Sequence, residues 1–332
     1  MAFADRLICA FLLPALCTAF APPSHLPAPA AQWIASRCVD PDGAITVRPR
    51  GHRVSGYFGN LTALGLAVSG NEPRVVLGWL RWYTYRARLS RDGVPDDIAW
   101  SALGKVAERT RPDSTDAYPA TFLMVAWAAY QSNNVTLRDF VLRHRTDIER
   151  IARSSVATQQ HTGLTWARPG HHVAYAIDNA QVYRGLLDGA ALARTAYNDP
   201  GFSNTLLRDA RRVRRGMMRY LWNPKLQTFR PFIGARLGKP YPNADLRIPY
   251  PDALAQVAAV LYGILPRTSP TASKLLDRTM SALDALAPSS DAFEFTLMYA
   301  VARRHIGRPI ARIAFSPMPL CSDAGWELLL RH

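Results

Sequence analysis

Helix-forming segments follow one another along most of this sequence in pairs joined by short turns, and this repetition constrains the fold more than any other feature. In each pair the first segment is apolar on nearly all sides, as in ATFLMVAWAAYQ, and the second carries charges on one face, as in TLRDFVLRHRTDIERIARS. A helix that is apolar all round is buried on all sides, whereas a helix with one charged face lies at the surface. The repetition therefore predicts an inner ring of helices wrapped by an outer ring.

The fold class that follows is an all-α toroid of the (α/α)6 type. The pattern gives about eleven helices, close to the twelve of six hairpins, and leaves the sixth hairpin doubtful, so the ring is predicted as complete or nearly so. One of the predicted helices covers residues 96–109. Two stretches, residues 162–175 and 227–241, hold Trp, Phe, Pro and Gly in non-helical order, which predicts short β-hairpin loops at one mouth of the toroid.

The first 21 residues have the composition of a secretory signal peptide. Arg6 precedes an apolar run that ends in Ala19-Phe20-Ala21, a small-x-small cleavage pattern. An uncleaved anchor is the alternative, although the run is too short to span a bilayer comfortably. We predict a signal peptide over residues 1–21, a linker and N-terminal extension over 22–54, and one toroid domain over 55–332. The protein would then be exported, periplasmic or secreted, with no stable membrane insertion after cleavage.

Only two of the four cysteines, Cys38 and Cys321, lie outside the predicted signal peptide. Export would permit a disulfide between them that ties together the two ends of the domain, and two unpaired thiols are the alternative. No CxxC-type spacing is present, and adjacent histidines such as His171 and His172 point apart on most backbones. We therefore expect neither a metal site nor a cofactor.

The net charge of +15 raises the question of an anionic partner. The arginines are spread along the chain, and the densest run, RDARRVRRGMMRY from Arg208, is typical of a solvated helix face. Neither a zinc-finger spacing nor an RNP-like aromatic segment is found. We expect no nucleic-acid partner, and an anionic polysaccharide is the partner that the charge leaves open.

Three stretches carry a resemblance to a known family: DSTDAYPATFLMVAW, TGLTW followed by AYAIDNAQVYRGLLDGAALA, and YPDALAQVAAVLYGI. They resemble the six-hairpin glycosidase superfamily over roughly residues 55–305, and are most similar to the unsaturated glucuronyl and rhamnogalacturonyl hydrolases. The resemblance implies catalytic acids where inner helices begin, around a cleft at one end of the barrel. The SExxGYG-like segment of family-eight endoglucanases is not present, which argues against cellulase-type chemistry.

Acidic residues stand at the starts of several predicted inner helices. Each could serve only as a helix cap, since Asp is a favoured N-cap and its charge suits the helix N-terminus. If the helix starts share one mouth, however, the acids converge as glycoside hydrolysis requires, with one acid to protonate the leaving oxygen and one carboxylate to activate water. The resemblance implies Asp178 as the general acid or acid/base. We expect Asp116 as its partner with Asp113 as a substitute, and Asp252 and Glu294 as a second carboxylate or as hydroxyl-binding groups.

Aromatic side chains are expected in the same cleft because sugar rings present apolar faces. Trp166 lies in a predicted loop and is the best stacking candidate, whereas core packing is the alternative for the tyrosines. An unpaired charge on an inner helix is costly, so Arg184 would pair with an acid or bind a substrate carboxylate. The candidate binding residues are Trp166, Tyr57, Tyr118, Tyr183, Arg184, Tyr250 and Asn179.

These expectations lead to an exported glycoside hydrolase that acts on an oligo- or polysaccharide by carboxylate acid/base catalysis. Two alternatives stay open. One is a non-catalytic carbohydrate-binding or scaffold protein on the same fold, its acids serving as caps. The other is a polysaccharide lyase, for which Tyr183, Arg184 and His171 supply a candidate base and a group to neutralise a uronate.

Overall fold

The computed structural model describes residues 29–101, 106–234, 243–283, 290–310 and 320–332, so the predicted signal peptide lies outside the described residues. The helices are α1 Pro29–Arg37, α2 Gly56–Ser69, α3 Pro73–Leu89, α4 Ala117–Gln131, α5 Val135–Arg143, α6 Arg145–Ser154, α7 Ala176–Thr195, α8 Pro200–Gly216, α9 Leu254–Leu261, α10 Pro270–Leu283, α11 Ser290–His305 and α12 Cys321–Arg331. Two π-helical turns adjoin them, Met217–Leu221 after α8 and Pro249–Ala253 before α9. Over the described ranges, the helices are too short or too polar to cross a membrane.

Seven short strands complete the secondary structure of the described residues. They are β1 Arg53–Val54, β2 Asp97–Trp100, β3 Val106–Thr110, β4 Val173–Tyr175, β5 Trp222–Asn223, β6 Thr228–Phe229 and β7 Phe232–Gly234. The strands form small antiparallel sheets in the connections between helices. The architecture is therefore helical, with β structure confined to loops, as the sequence predicts.

In the described part of the chain, six helices form the inner ring. Contacts run from α2 to α4, α7, α9, α11 and α12 in that order, and α12 packs back against α2. Helices α2 and α4 bury side chains on all of their faces, which explains why their sequences show no polar side. The predicted inner ring is confirmed.

The amphipathic helices α1, α3, α5, α6, α8 and α10 pack outside this ring. In α8, for example, the buried residues Leu206, Ala210 and Val213 face inward, and the arginines between them face outward. Each inner helix from α2 to α9 thus has an outer partner next to it in the chain. The alternation of apolar and amphipathic segments in the sequence therefore indicates which helices lie in the inner layer and which lie in the outer layer.

The sixth hairpin, which the sequence leaves doubtful, is built from the two ends of the domain. The inner helix α12 packs against α1, and a disulfide joins Cys38, next to α1, to Cys321 at the start of α12, with Cα atoms 6.1 Å apart. The predicted linker is corrected here, because Ala30 and Ala31 lie in α1 and are buried. The domain therefore begins upstream of residue 55.

The predicted helix over residues 96–109 is wrong. Residues on either side of the undescribed segment 102–105 form β2 and β3, and β1 pairs with β2 on the other edge, where Val54 faces Ile98. Val54 and Ile98 are both buried. The pairing partner of β2 lies more than forty residues upstream, so local periodicity could not indicate it.

The two predicted β loops pair with each other. Strand β4, in the first loop, is antiparallel to β7, in the second, with Tyr175 opposite Phe232 and Val173 opposite Gly234. The second loop is described only as far as residue 234. The pairing places both loops at one face of the toroid, the face where α7 begins.

Candidate active site

Asp116 caps the N-terminus of α4 and is fully buried. Its carboxylate accepts hydrogen bonds from the Ala117 backbone N–H (2.8 Å), from Ser114 Oγ (2.6 Å) and from Thr165 Oγ1 (2.6 Å). Burial raises the pKa of Asp116, and these hydrogen bonds oppose the rise. Because both oxygens are engaged inside the protein, Asp116 serves as a cap of α4 and as an anchor for Thr165, and its role as the catalytic partner stays a prediction.

Asp178 lies in the first turn of α7 and is partly exposed. Burial of its carboxyl group, followed by the charges of Asp116 and Asp113, raises its pKa well above the ordinary value, while a hydrogen bond with Ser114 acts in the opposite direction. The side chain thus holds its proton to a higher pH than a free aspartic acid does. That behaviour suits a general acid.

Asp113 is solvent-exposed and lies three residues before Asp116, in the loop that leads into α4. Its charge raises the pKa of Asp178 and also that of Asp97, so it acts on both carboxyl groups. Of the predicted acids, the structure brings Asp113, Asp116 and Asp178 together. With Asp97 they form what we call the acid cluster.

Asp97 is a member of the acid cluster that the sequence analysis missed. It begins β2, is buried, and accepts a 3.2 Å hydrogen bond from the Tyr118 hydroxyl. Burial, with a smaller contribution from the charge of Asp113, raises its pKa to about 6, against hydrogen bonds from Ser55 and Tyr118. Among the described residues its Oδ1 atom has no hydrogen-bond partner. The sequence analysis placed Asp97 in a helix, whereas the pairing of β2 with β3 sets it opposite Thr110, three residues before Asp113.

The remaining two predicted acids are placed differently. Asp252 lies in the π-helical turn before α9, where its Oδ1 accepts a 2.8 Å hydrogen bond from the Asp245 backbone N–H. Burial raises its pKa, and Asp245 is the charged residue that acts on it. Asp252 therefore belongs to its own loop, and we do not include it in the acid cluster. Glu294 lies in α11, and its side chain is outside the described part of the structure.

Asn179, predicted to bind substrate, instead holds a loop in place. It is fully buried, and its Oδ1 accepts hydrogen bonds from the backbone N–H (2.8 Å) and hydroxyl (3.2 Å) of Thr165. Its Nδ2 donates to the carbonyl oxygens of Thr165 (3.1 Å) and Tyr175 (2.9 Å). With its amide occupied in this way, Asn179 ties the first β loop to α7.

Trp166 lies in that loop, next to Thr165. It is half-buried, and its ring stacks on His172 with centroids 3.9 Å apart. The following residue, Ala167, accepts a hydrogen bond from the Thr115 backbone N–H at 2.5 Å, so the loop runs directly beside the segment that carries Asp113 and Asp116. Trp166 is thus linked to the acid cluster through the loop that carries it.

Tyr57 and Tyr118 lie beside each other at the starts of α2 and α4, with ring centroids 6.0 Å apart. Tyr118 is buried and bonds to Asp97, so it positions a carboxyl group from within the core. Tyr57 is partly exposed, and its hydroxyl accepts a 2.7 Å hydrogen bond from Gln181 Nε2. Of the two, only Tyr57 has surface to offer a ligand.

The last three predicted binding residues lie elsewhere. Arg184 forms an ion pair with Asp188, one turn along α7, at 2.8 Å, so its charge is already neutralised. Tyr183 lines a cavity beside α8, and Tyr250 is 62% exposed in the π-helical turn before α9.

Comparison with known proteins gives a likeness of fold without a likeness of sequence. No protein-family model matches the chain, and no curated protein has a similar sequence. Among solved structures, the GH63 mannosylglycerate hydrolase from Thermus thermophilus, in complex with glucose, has a TM-score of 0.65 at 12% identity. The match covers 92% of this chain and 100% of that one.

Two further structures agree. A wild-type glycosidase has a TM-score of 0.62 at 14% identity, over 91% of this chain and 94% of that one. The GH78 family rhamnosidase of Bacillus sp. GL1 has a TM-score of 0.53 at 14% identity, over 74% of this chain and 25% of that one. The fold is thus an α/α toroid like that of these glycosidase structures, as the sequence resemblance implies. The finer likeness to the unsaturated glucuronyl and rhamnogalacturonyl hydrolases stays a prediction.

Proposed function

We propose that this protein is a glycoside hydrolase in which Asp178 is the general acid and Asp113 is the catalytic base. The observation that carries the proposal is the pairing of Asp178, a partly exposed residue whose carboxyl group has a raised pKa, with the solvent-exposed Asp113, whose charge contributes to that rise. Two carboxyl groups with separate tasks are what hydrolysis of a glycosidic bond requires. The likeness of the fold to glycosidase structures supports the same reading.

In the proposed reaction, Asp178 gives its proton to the oxygen of the leaving sugar as the bond from that oxygen to the anomeric carbon breaks. A water molecule adds to the anomeric carbon and loses a proton to Asp113, which has access to solvent. The result is two sugars with free hydroxyl groups, and proton exchange with water restores both acids. Asp113 also favours the protonated form of Asp178 through its charge, so one residue assists in both tasks.

The rest of the acid cluster holds this pair in place. Asp116 fixes the start of α4 and, through Thr165, the loop that carries Trp166. Asp97 of β2 and Tyr118 of α4 bond to each other, and so join the chain segments on either side of Asp113. Such buried, hydrogen-bonded groups limit the movement of the reactive side chains, on which the rate depends strongly.

We infer an oligo- or polysaccharide substrate. Trp166 and Tyr57 supply partly exposed aromatic surface near the acid cluster, as sugar rings require. One solved structure of similar fold is a complex with glucose, which agrees with a saccharide ligand for this kind of toroid. The high positive charge favours an acidic saccharide over a neutral one.

Export is also part of the proposal. Residues 1–21 have the pattern of a signal peptide, and the disulfide between Cys38 and Cys321 requires an oxidising compartment to persist. The periplasm or the extracellular space satisfies both. Detection of a mature N-terminus after residue 21 in the secreted fraction would test this part, and a full-length chain in the cytoplasm would contradict it.

The central test is hydrolysis of a panel of neutral and uronate-containing oligosaccharides by the wild-type protein and by Asp178→Asn. We expect new reducing ends with the wild type and a loss of at least about a hundredfold in kcat for the variant. Asp139→Asn, an exposed aspartate on α5, makes the same change of charge outside the acid cluster and should keep full activity. Unsaturated, ultraviolet-absorbing products would indicate a lyase instead, and binding without any product would indicate a carbohydrate-binding protein.

A further inference from the structure

A cavity of about 820 Å³ lies beside α8 and is lined by four arginines. Its volume is in the range of small-molecule binding sites. Tyr183 and Leu187 of α7 contribute an apolar part of the lining. We call the four lining arginines and these two residues the arginine cavity; the arginines are Arg211, Arg214, Arg215 and Arg219.

The positive charge of the arginine cavity is not neutralised from within the described structure. Elsewhere, arginines meet carboxylates, as Arg88 meets Asp147 at 2.6 Å and Arg145 meets Asp199 at 2.6 Å. In the described ranges, by contrast, none of the four cavity arginines forms an ion pair. Arg214 donates to the Ile264 carbonyl oxygen at 3.0 Å, which orients its guanidinium group without cancelling its charge.

The spacing of these arginines lowers the stability of the helix that carries them. Arg211, Arg215 and Arg219 follow one another every four residues, so they lie along one side of α8 and the π-helical turn after it. Like charges at this spacing destabilise a helix. A bound anion would convert this repulsion into attraction.

The cationic surface extends beyond one cavity. Arg215 and Arg219 also line a second cavity of about 300 Å³, together with Arg212, His161 and Tyr220. Because two arginines border both cavities, an extended anion could contact them in succession. A single small ion would leave most of this surface unused.

We propose that the arginine cavity binds an acidic oligosaccharide, through its carboxylate or sulfate groups, at a site distinct from the acid cluster. Guanidinium groups bind such planar or tetrahedral anions through paired hydrogen bonds. Tyr183 and Leu187 offer apolar surface to the face of a sugar ring. The concave shape fits a discrete chain better than the surface of a membrane. The choice of a saccharide rests on the proposed function, whereas the preference for an anion does not.

The test is calorimetric titration of the full protein with tetragalacturonate, with maltotetraose as the neutral counterpart. We expect tetragalacturonate to bind in a salt-sensitive manner and maltotetraose to bind at least about tenfold more weakly. The double variant Arg211→Gln/Arg215→Gln should weaken tetragalacturonate binding about tenfold or more. The matched control is Arg74→Gln/Arg81→Gln, which removes the same charge from two exposed arginines of α3 and should change the affinity less than about twofold.

Equal weakening by the two double variants would overturn the proposal, because the effect would then come from net charge. Equal binding of maltotetraose and tetragalacturonate would overturn it as well. The proposal would also be wrong if the protein bound phosphatidylglycerol vesicles and not tetragalacturonate, and if the vesicle binding were lost in Arg211→Gln/Arg215→Gln. Titration of Asp178→Asn with tetragalacturonate shows whether the ligand binds at the arginine cavity or at the acid cluster. If tetragalacturonate binding disappears in Asp178→Asn and persists in Arg211→Gln/Arg215→Gln, the ligand binds at the acid cluster and the cavity proposal is wrong. If the arginine variant alone weakens binding while no substrate is hydrolysed, the cavity proposal stands and the proposed hydrolase does not.

Discussion

Thr165 Oγ1 donates a 2.6 Å hydrogen bond to Oδ2 of Asp116, across 49 residues of sequence. The bond joins the loop that carries Trp166 to the first turn of α4, and both partners are fully buried. It is therefore one of the contacts that set the position of the candidate stacking residue relative to the acid cluster.

Thr165→Val should test the strength of this link. The substitution keeps the shape of the side chain and removes the hydroxyl, which leaves a buried carboxylate oxygen of Asp116 without its donor. We expect a loss of about 1–3 kcal/mol in the free energy of unfolding, measured by urea denaturation. Thr136→Val on α5, where the side chain is exposed, should change that free energy by less than about 0.5 kcal/mol. Equal effects of the two variants would refute the link.

Asp178→Asn should stabilise the protein near pH 7 while it abolishes the proposed activity. The pKa of Asp178 is higher in the folded protein than in the unfolded chain, so ionisation at neutral pH opposes folding, and the amide removes that cost. Below the unfolded pKa of about 3.9 both states hold the proton and the difference should vanish. Urea denaturation of the variant and the wild type from pH 3 to pH 7 measures the trend. A variant that is less stable at pH 7 than at pH 3, relative to the wild type, would contradict the raised pKa.

Tyr118→Phe should raise the pKa of Asp97 above its value of about 6. The hydroxyl of Tyr118 bonds to the Asp97 carboxylate and favours its ionised form, so its removal favours the protonated form. Carbon-13 NMR titration of the aspartate carboxyl signals, with Asp97→Asn to assign the resonance, would measure the shift. Tyr85→Phe, an exposed tyrosine on α3, is the control and should leave the Asp97 titration unchanged.

Removal of the disulfide should lower stability by about 2–5 kcal/mol. The bond between Cys38 and Cys321 closes a loop with a sequence separation of 283 residues, and it ties the outer helix α1 to the inner helix α12. The variant Cys38→Ser/Cys321→Ser and the wild type in reducing buffer should show the same reduced free energy of unfolding. An unchanged stability in both would mean that packing alone holds the sixth hairpin.

Gly185→Ala should be strongly destabilising because two inner helices approach each other closely at this position. A Cβ atom at Gly185 of α7 would collide with the backbone of Ala120 in α4. We expect a loss of roughly 1–3 kcal/mol by thermal or urea unfolding. Gly201→Ala at the start of α8, where a Cβ would meet only an ordinary contact with Asp199, is the control and should be close to neutral.

The two-layer architecture could be predicted because the pattern of apolar and charged residues in each helix indicates which of its faces are buried. The apolar α4 and the one-sided α8 differ in composition whatever their partners are. The position of Asp178 at the start of α7 is local information of the same kind. These features need no knowledge of distant contacts, and they were predictable for that reason.

The features that the sequence analysis missed depend on distant partners. Asp97 joins the acid cluster because β2 pairs with β3 and because the hydroxyl of Tyr118, 21 residues along the chain, bonds to its carboxylate. The side chain of Asn179 has the chemistry of a ligand-binding group, but its amide is occupied by Thr165 and Tyr175. Asp116 likewise has both of its oxygens bonded within the protein. Residue type and local spacing indicate what a side chain can do, whereas its neighbours decide whether it is available.

The pairing of α1 with α12 also has a consequence for the order of events during synthesis. Helix α1 leaves the ribosome first among the described helices and must wait for α12 before its buried face is covered. The ring therefore cannot close before α12 has been synthesised. If the protein is exported as proposed, a ring that stays open until α12 emerges would let the chain cross a translocation channel unfolded, and the toroid would assemble on the far side, where its cysteines can be oxidised.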